Sequence, residues 1–234
     1  MAWLGPLLLF VLIAPFTPAL DVAIERYFYE GGHFYTNFFF QSLYDFSFLP
    51  VLIFVVASML LLSLSFFFSK MAYLKKPLLL ILLTLAIGAG LITHLLLKDH
   101  WGRPRPKQVI EFGGTQHYRP FWSPNFFSQP QPSKSFPCGH CTLGFFFFAP
   151  ALVARRLGKG GWSFFFFGIA FAFGISLSLA RMAQGGHFLS DILATALVMW
   201  LTAWWLDQLL FGKQRAWTEQ QKNNMTFMRS SKST

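Results

Sequence analysis

The sequence predicts an all-α integral membrane protein, built as one bundle of six transmembrane helices with a long loop outside the cytoplasm. The first observation is composition, because 54% of the 234 residues are hydrophobic and 31 are Phe. A soluble domain of this size has too little interior to bury so much apolar surface. The second is pattern, since the apolar residues form stretches of roughly 18–22 residues, the length that crosses a hydrocarbon core.

Each apolar stretch is predicted to be one helix, and the six lie at 2–20, 49–68, 77–97, 140–157, 161–180 and 188–211. The first stretch resembles a signal peptide. No Lys or Arg precedes Arg26, however, and no small-residue cleavage site is evident, so we expect a retained helix. The segment 21–48 mixes aromatic and charged residues. It has two interpretations, an interfacial segment and a loop packed over the helix ends.

The distribution of Lys and Arg predicts the orientation of the bundle. Of the 19 basic residues, eleven fall in one set of loops and eight in the other. The richer set is expected to face the cytoplasm, which places both termini inside and the segment from Lys98 to Cys141 outside. We therefore expect one domain over 1–212, a basic cytoplasmic tail over 213–234, and a location in a bacterial inner (plasma) membrane.

Charged residues and histidines are costly near a membrane and need an explanation. Here they gather in three short motifs: "KDHWGRPRP" at 98–106, "PCGHC" at 137–141 and "ARMAQGGHFLSD" at 180–191. In the six-helix topology all three emerge on the same, extracytoplasmic side. The long loop that carries the first two is therefore predicted to form an active site with the third.

The chemistry of the three motifs suits a phosphate group. Lys98, Arg105 and Arg181 supply three cations, and a guanidinium can hold two phosphate oxygens at once. Cys138 and Gly139 precede a predicted helix, so their backbone N–H groups can point at an anion.

Two histidines in the same motifs are candidates for catalysis. His187 and Asp191 stand four residues apart at the start of the last helix, hence on one helical face. There the carboxylate can bond one ring nitrogen and leave the other free to attack phosphorus. His140 is a second imidazole, which can give a proton to the leaving group.

The order and spacing of these residues resemble the three-part signature of the type 2 phosphatidic acid phosphatase family, whose superfamily also includes vanadium-dependent haloperoxidases. The resemblance implies a metal-independent phosphatase without a cofactor, in which His187 forms a phosphohistidine, Asp191 orients it and His140 protonates the leaving oxygen. It also implies a phosphate cradle. Its members are Lys98, Arg105, Arg181 and the backbone of Gly139, with Cys138 beside them. The family usually has Ser at the positions of Cys138 and Ala180, so this chain lacks two hydroxyl groups that the family pattern contains.

The expected activity is hydrolysis of a phosphomonoester or diphosphate on an envelope lipid at the extracytoplasmic face. Candidate substrates are the 1-phosphate of lipid A, undecaprenyl diphosphate, and phosphatidic acid or phosphatidylglycerol phosphate. Two alternatives stay open, a lipid phosphotransferase that uses the same site and a membrane transporter. Beyond its substrate and the membrane lipids we expect no metal, no nucleic acid and no obligate protein partner.

Several residues have competing interpretations. The spacing of Cys138 and Cys141 occurs in dithiol oxidoreductases, but no alternation of strands and helices supports a redox fold. Either Cys138 lines the phosphate site while Cys141 packs in the helix, or the two form a disulfide. Four loop cations are either a second anion-binding group or solvated charges: Arg103, Lys107, Arg119 and Lys134. His94 is expected to be a packing histidine, whereas surface positions are expected for His33, His100 and His117.

Overall fold

A computed structural model describes residues 3–127 and 133–212; the predicted tail, 213–234, lies outside the described residues. The main helices are α1 (Leu4–Ile13), α2 (Thr17–Tyr27), α3 (Phe38–Phe46), α4 (Phe48–Phe67), α5 (Lys75–Leu83), α6 (Cys141–Phe145), α7 (Phe148–Arg156), α8 (Gly160–Ala183) and α9 (Leu189–Phe211). Helix α5 continues without interruption as a wider π-helix over Thr84–Lys98. Three short 3-10 segments join the helices, at Ala14–Phe16, Ser69–Leu74 and Pro106–Gln108, and a fourth spans Ile110–Phe112. The strands are β1 (Tyr29–Glu30) and β2 (His33–Phe34), an antiparallel pair.

The helical membrane class is confirmed. Five helices of the described residues are long and apolar enough to cross a membrane: Leu4–Tyr27, Phe38–Phe67, Ser69–Lys98, Gly160–Ala183 and Leu189–Phe211. Many large apolar side chains on them are exposed on the protein surface, as lipid-facing residues are. Together these features make the chain a multi-pass membrane protein.

The predicted fourth span, 140–157, is not one long helix but the pair α6 and α7, with a break at Phe146–Phe147. Pro150 explains the break, because its ring clashes with the carbonyl four residues earlier, at Phe146, and its nitrogen donates no hydrogen bond. Nearly every residue of the pair is buried, and its phenylalanines form the centre of the hydrophobic core. The pair is therefore the inner element of the bundle, and a count of six spans stays a prediction.

Glycine allows α6 to lie directly against α8. A Cβ atom added at Gly144 would collide with backbone atoms of Gly174, and one added at Gly174 would collide with the Phe145 ring. Small residues at a helix crossing permit this close approach in membrane proteins. The contact fixes α6 beside the end of α8, where Arg181 is located.

The segment 21–48 is more helical than either sequence interpretation expected. Helix α2 runs on to Tyr27, and α3 starts at Phe38, where the Asn37 side chain caps it by accepting a hydrogen bond from the Phe40 N–H at 2.7 Å. The two interpretations treated the charges of this segment as a sign of the water interface. Asp21 and Glu25 instead face the interior of the bundle, where both are fully buried.

Candidate active site

The three motifs meet at one end of the bundle. Lys98 ends the π-helix and Arg181 lies in the last turn of α8. Arg105 lies close enough to both of them to interact electrostatically with each. All three cations also act on His140, and Lys98 and Arg181 act on His187. The sequence-based expectation that these side chains converge therefore agrees with the geometry, while their roles stay proposals.

Three buried nitrogen atoms in this cluster have no hydrogen-bond partner among the described residues, 3–127 and 133–212: Nε of Arg105, Nε of Arg181 and Nε2 of His187. A buried donor or acceptor without a partner is costly, and the cost recurs at sites that receive a ligand. Two are guanidinium donors and the third is an imidazole nitrogen. Together they suit an oxyanion whose oxygens accept from the guanidinium groups while its central atom faces the histidine.

His187 is held by its other ring nitrogen. Its Nδ1 lies 2.6 Å from the backbone carbonyl oxygen of Ser135. A carbonyl only accepts hydrogen bonds, so Nδ1 carries the proton and Nε2 keeps a free lone pair. The carboxylate of Asp191 is 3.7 Å from Nδ1, too far for a direct hydrogen bond. Asp191 thus acts on the ring by its charge, and the Ser135 carbonyl makes the contact that the sequence suggested for the carboxylate.

The Asp191 carboxylate is fixed by donors from three directions. The Ser135 hydroxyl donates to its Oδ2 at 2.6 Å and the Phe188 N–H donates to the same atom at 2.9 Å, while Arg103 donates to Oδ1. Ser135 therefore touches His187 and Asp191 at once. No sequence signal identified it, because one of its two contacts uses the backbone.

Burial lowers the pKa of His187 to about 3, and the nearby charges of Lys98 and Arg181 act in the same direction. The ring is accordingly neutral at any pH near 7. A neutral ring with the proton on Nδ1 and the lone pair on Nε2 is the form that can attack phosphorus.

Tyr44 of α3 forms a wall of the site that the sequence analysis missed. Its ring stacks on His140 with centroids 4.2 Å apart, and the Arg181 guanidinium lies over the same ring at 4.7 Å. The Arg181 Nη1 also donates to Gln184 at 2.5 Å. Burial, Arg181 and Lys98 lower the pKa of His140 to about 4. An aromatic residue in a predicted interfacial segment gave no indication of this contact.

Gly139 brings the backbone close to two side chains of the π-helix. A Cβ atom at this position would lie 2.6 Å from Cε1 of His94 and 3.2 Å from Nζ of Lys98. The absence of a side chain therefore lets His94 and Lys98 approach the PCGHC loop. The expectation of a packing histidine at His94 is wrong, because the residue is exposed, with its ring beside Gly139.

The two cysteines are joined by a disulfide, which decides between the two alternatives left by the sequence. The Cys138 N–H donates to the Thr195 hydroxyl at 2.9 Å, and Cys138 is completely buried. Neither its sulfur nor its N–H is available as a donor to phosphate. The geometry thus gives no support to Cys138 as a phosphate ligand, and Gly139 is the better candidate in this loop.

Two of the four loop cations are bound to carboxylates and do not serve as a second anion-binding group. Arg103 is fully buried and pairs with Asp21 and Asp191. Lys134 pairs with Asp99 at the surface, at 2.9 Å. Lys107 is exposed and lies within electrostatic reach of Arg105 and Arg181, and Arg119 is half-buried. The surface positions expected for three other residues are confirmed, since these are exposed: His33, His100 and His117.

An apolar groove of about 690 Å³ opens beside the cluster, between α4, α5 with its π-helix, and α6. Its walls are aliphatic, with Val55, Met59 and Leu85 among them, and His94, Gly139 and His140 lie at one end. The polar end of the groove is thus shared with the candidate site.

Comparison with known proteins identifies one protein family and three similar proteins that share a name. The PAP2 superfamily matches residues 77–215. A lipid A 4'-phosphatase from Francisella tularensis subsp. novicida is 31% identical over 207 residues, which are 84% of this chain and 89% of that protein. Lipid A 4'-phosphatases from Rhizobium leguminosarum and Rhizobium etli are 28% and 30% identical. The match covers 60% and 59% of this chain, and 54% and 49% of those proteins. No solved structure matches the chain at a significant level.

Proposed function

Since this chain belongs to the PAP2 superfamily and is a membrane lipid phosphatase, we propose that it removes a phosphate group from lipid A at the periplasmic face of a bacterial inner membrane. The family agrees with the resemblance drawn from the three motifs. The similar proteins act, by their names, on the 4'-phosphate. We therefore favour that position over the 1-phosphate that the sequence analysis put first.

In the first step, Nε2 of His187 attacks phosphorus and the bond to the leaving oxygen breaks. His140 gives that oxygen its proton, and His187 carries the phosphoryl group. In the second step His140 takes a proton from water, the resulting hydroxide attacks phosphorus, and inorganic phosphate leaves. Throughout, Nδ1 of His187 keeps its proton and donates a hydrogen bond to the Ser135 carbonyl, and the charge of Asp191 stabilises the positively charged phosphohistidine.

The cations and His140 make this sequence energetically reasonable. Lys98, Arg105 and Arg181 stabilise charge on the transferring phosphoryl oxygens, which can contribute on the order of 3 kcal/mol for each well-placed donor. The same cations help to lower the pKa of His140 in the free protein. A bound phosphate dianion offsets them, so His140 gains a proton when the substrate arrives.

The single observation that carries the proposal is the set of three unpartnered nitrogens on Arg105, Arg181 and His187. Arg105 comes from the long loop, whereas Arg181 lies at the end of α8 and His187 in the turn that follows it. Two cationic donors beside a neutral imidazole suit a phosphoryl group, and a transporter has no need of a free imidazole lone pair aimed at the bound anion.

The apolar groove supports a lipid as the substrate. Its polar end at His94 and His140 adjoins the side of the site where the leaving oxygen would be protonated. Its aliphatic walls suit an acyl chain, which is buried at a gain of roughly 25 cal/mol per Å². A tail in the groove would thus direct the headgroup phosphate towards His187.

The direct test is product analysis with purified protein in detergent. Doubly phosphorylated lipid A should lose one phosphate, and mass spectrometry with fragmentation should show the loss at the 4' position. His187→Ala should be inactive, whereas His33→Ala, which changes an exposed histidine of the hairpin, should match the unaltered protein. Release of phosphate only from undecaprenyl diphosphate or phosphatidic acid would reassign the substrate. Transfer of the phosphoryl group to a second lipid would indicate a phosphotransferase. No turnover of any of these lipids would contradict the assignment as a lipid phosphatase.

A further inference from the structure

Arg103 is the most completely bonded side chain near the site. It has no exposed surface, and each of its five N–H groups has an acceptor. Nε donates to the Arg119 carbonyl, Nη1 to Ser190 and Asp191, and Nη2 to Asp21 and Tyr118. No donor remains for a phosphate oxygen. Arg103 therefore has a different role from the cations of the cradle, although it stands only two residues from Arg105.

Asp21 of α2 is the second carboxylate that binds Arg103, on the opposite side of the guanidinium from Asp191. Its Oδ2 accepts from Arg103 and Tyr118, each at 2.8 Å, and from the Ser190 hydroxyl at 2.6 Å. Its Oδ1 accepts from the Ser190 N–H at 2.8 Å. The carboxylate thus binds Arg103 and also the first turn of α9, the same turn that carries Asp191.

These contacts form one continuous chain of polar groups that leads to the candidate nucleophile. Asp21 holds Arg103, Arg103 holds Asp191, and Ser135 links Asp191 to His187 through its hydroxyl and its carbonyl. Every member is buried. The chain joins α2 and the long loop to α9, so a shift at Asp21 or Arg103 is transmitted to the imidazole.

Arg103 also compensates the negative charge of buried carboxylates. Glu25, one turn after Asp21, is fully buried and interacts electrostatically with Asp191, Asp21 and Arg103, and no described residue hydrogen-bonds its carboxyl oxygens. Arg103 is bonded to the other two carboxylates, those of Asp21 and Asp191. Removal of Arg103 alone would leave these two without their cation, and an uncompensated buried charge is strongly unfavourable.

We propose that Arg103, held by Asp21, is a positioning residue of the phosphatase reaction, which fixes the Asp191 carboxylate and through it the orientation of His187. The inference rests on the proposed function, because it assumes that His187 is the nucleophile. Arg103 does not touch the substrate. It acts by keeping Nε2 of His187 in line with phosphorus, and a misplacement of about 1 Å in such a geometry costs roughly 100-fold in rate.

The test is the pair variant Arg103→Met/Asp21→Asn, which removes one charge of each sign and so leaves the net charge of the buried cluster unchanged. The substrate is lipid A in detergent micelles, and inorganic phosphate, which the cations can hold without a bond to His187, serves as a probe of the phosphate cradle. We expect kcat to fall about 100-fold, while KM and the inhibition constant for inorganic phosphate stay within threefold. The single variant Arg103→Lys keeps the positive charge but not the five N–H donors of a guanidinium. Its kcat should be about tenfold higher than that of the pair variant.

A matched control comes from the other end of the bundle, where Arg156 donates to Asp207 at 2.6 and 2.8 Å. Arg156→Met/Asp207→Asn removes a comparable ion pair, and its kcat should stay within twofold. If the Arg103→Met/Asp21→Asn variant keeps kcat within threefold while His187→Ala is inactive, the positioning role is wrong and the proposed function stands. If that variant loses inhibition by inorganic phosphate together with kcat, the cradle itself has changed, Arg103 is structural and the proposal also fails. Retained activity in His187→Ala would overturn the proposed function itself.

Discussion

Gly139→Ala tests the geometry of the cradle with a single methyl group. The new Cβ would lie 2.6 Å from Cε1 and 2.8 Å from Nε2 of His94, and 3.2 Å from Nζ of Lys98. Carbon atoms in contact are normally about 3.5–4.0 Å apart. The His94 ring must therefore move by about 1 Å and the Lys98 ammonium by a few tenths of an ångström.

The displaced groups are the ends of side chains, so the fold tolerates the change, but in the proposed mechanism Lys98 holds a phosphate oxygen. We expect kcat to fall roughly tenfold, which corresponds to about 1.4 kcal/mol of barrier, with a smaller rise in KM. The assay is phosphate release from lipid A at several substrate concentrations. Gly168→Ala is the matched control, because a Cβ there meets nothing within 4 Å.

A double-mutant cycle separates steric displacement from any other effect of the methyl group. His94→Ala removes the ring that the methyl would strike, so Gly139→Ala should cost at most about twofold in that background. An equal loss in both backgrounds would refute the steric reasoning. So would a Gly139→Ala protein whose kcat is within twofold of the unaltered protein.

Three more predictions concern other parts of the site. Tyr44→Ala removes the ring that stacks on His140 and should lower kcat about tenfold, whereas Tyr44→Phe keeps the ring and should stay within twofold; equal losses would contradict a role for stacking. The variant with both Cys138 and Cys141 changed to Ser should keep its kcat within threefold but lose about 2 kcal/mol of stability, the loop-closure entropy of a four-residue loop; thermal unfolding in detergent measures the loss, and an unchanged midpoint would count against it. His187 has a pKa of about 3 in the folded protein and roughly 6.5 when unfolded, so the unfolded chain binds the extra proton between these values. Stability should therefore fall as the pH drops from 6.5 towards 3, by up to about 1.4 kcal/mol per pH unit, and His187→Asn should flatten this slope; an identical slope in both proteins would refute the assignment.

The sequence alone identified the site residues that stand out by their position next to apolar stretches or by their spacing. Lys98 and Arg181 lie at the ends of apolar stretches, where a charge is expensive, and Arg105 follows Lys98 in the long loop. The spacing of His187 and Asp191 predicted one helical face, whereas in the structure only Asp191 is in α9 and His187 lies in the turn before it. The positions of these five residues agree with convergence at one site. The spans predicted at 161–180 and 188–211 also agree closely with α8 and α9, because a long apolar run has few other structures available.

The remaining features depend on tertiary contacts that no local pattern records. Arg103 looks like any other loop cation, and only the folded chain places Asp21, 82 residues away, against it. Ser135 acts partly through its carbonyl, which every residue possesses. Tyr44 faces His140 because α3 begins at Phe38, eleven residues before the predicted second span at 49–68. Pro150 could have predicted the break at Phe146–Phe147, but the continuous apolar run around it indicated one long helix.

The central claim is that Nε2 of His187 faces a phosphoryl group held by Lys98, Arg105 and Arg181. A structure of the protein with bound vanadate measures this directly, since vanadate imitates the five-coordinate transferring phosphoryl group. We expect vanadium within bonding distance of Nε2 of His187, with its equatorial oxygens at the three cations and the apical oxygen opposite the imidazole towards His140. Vanadate bound elsewhere, or bound at the cations but out of reach of the His187 ring, would contradict the account.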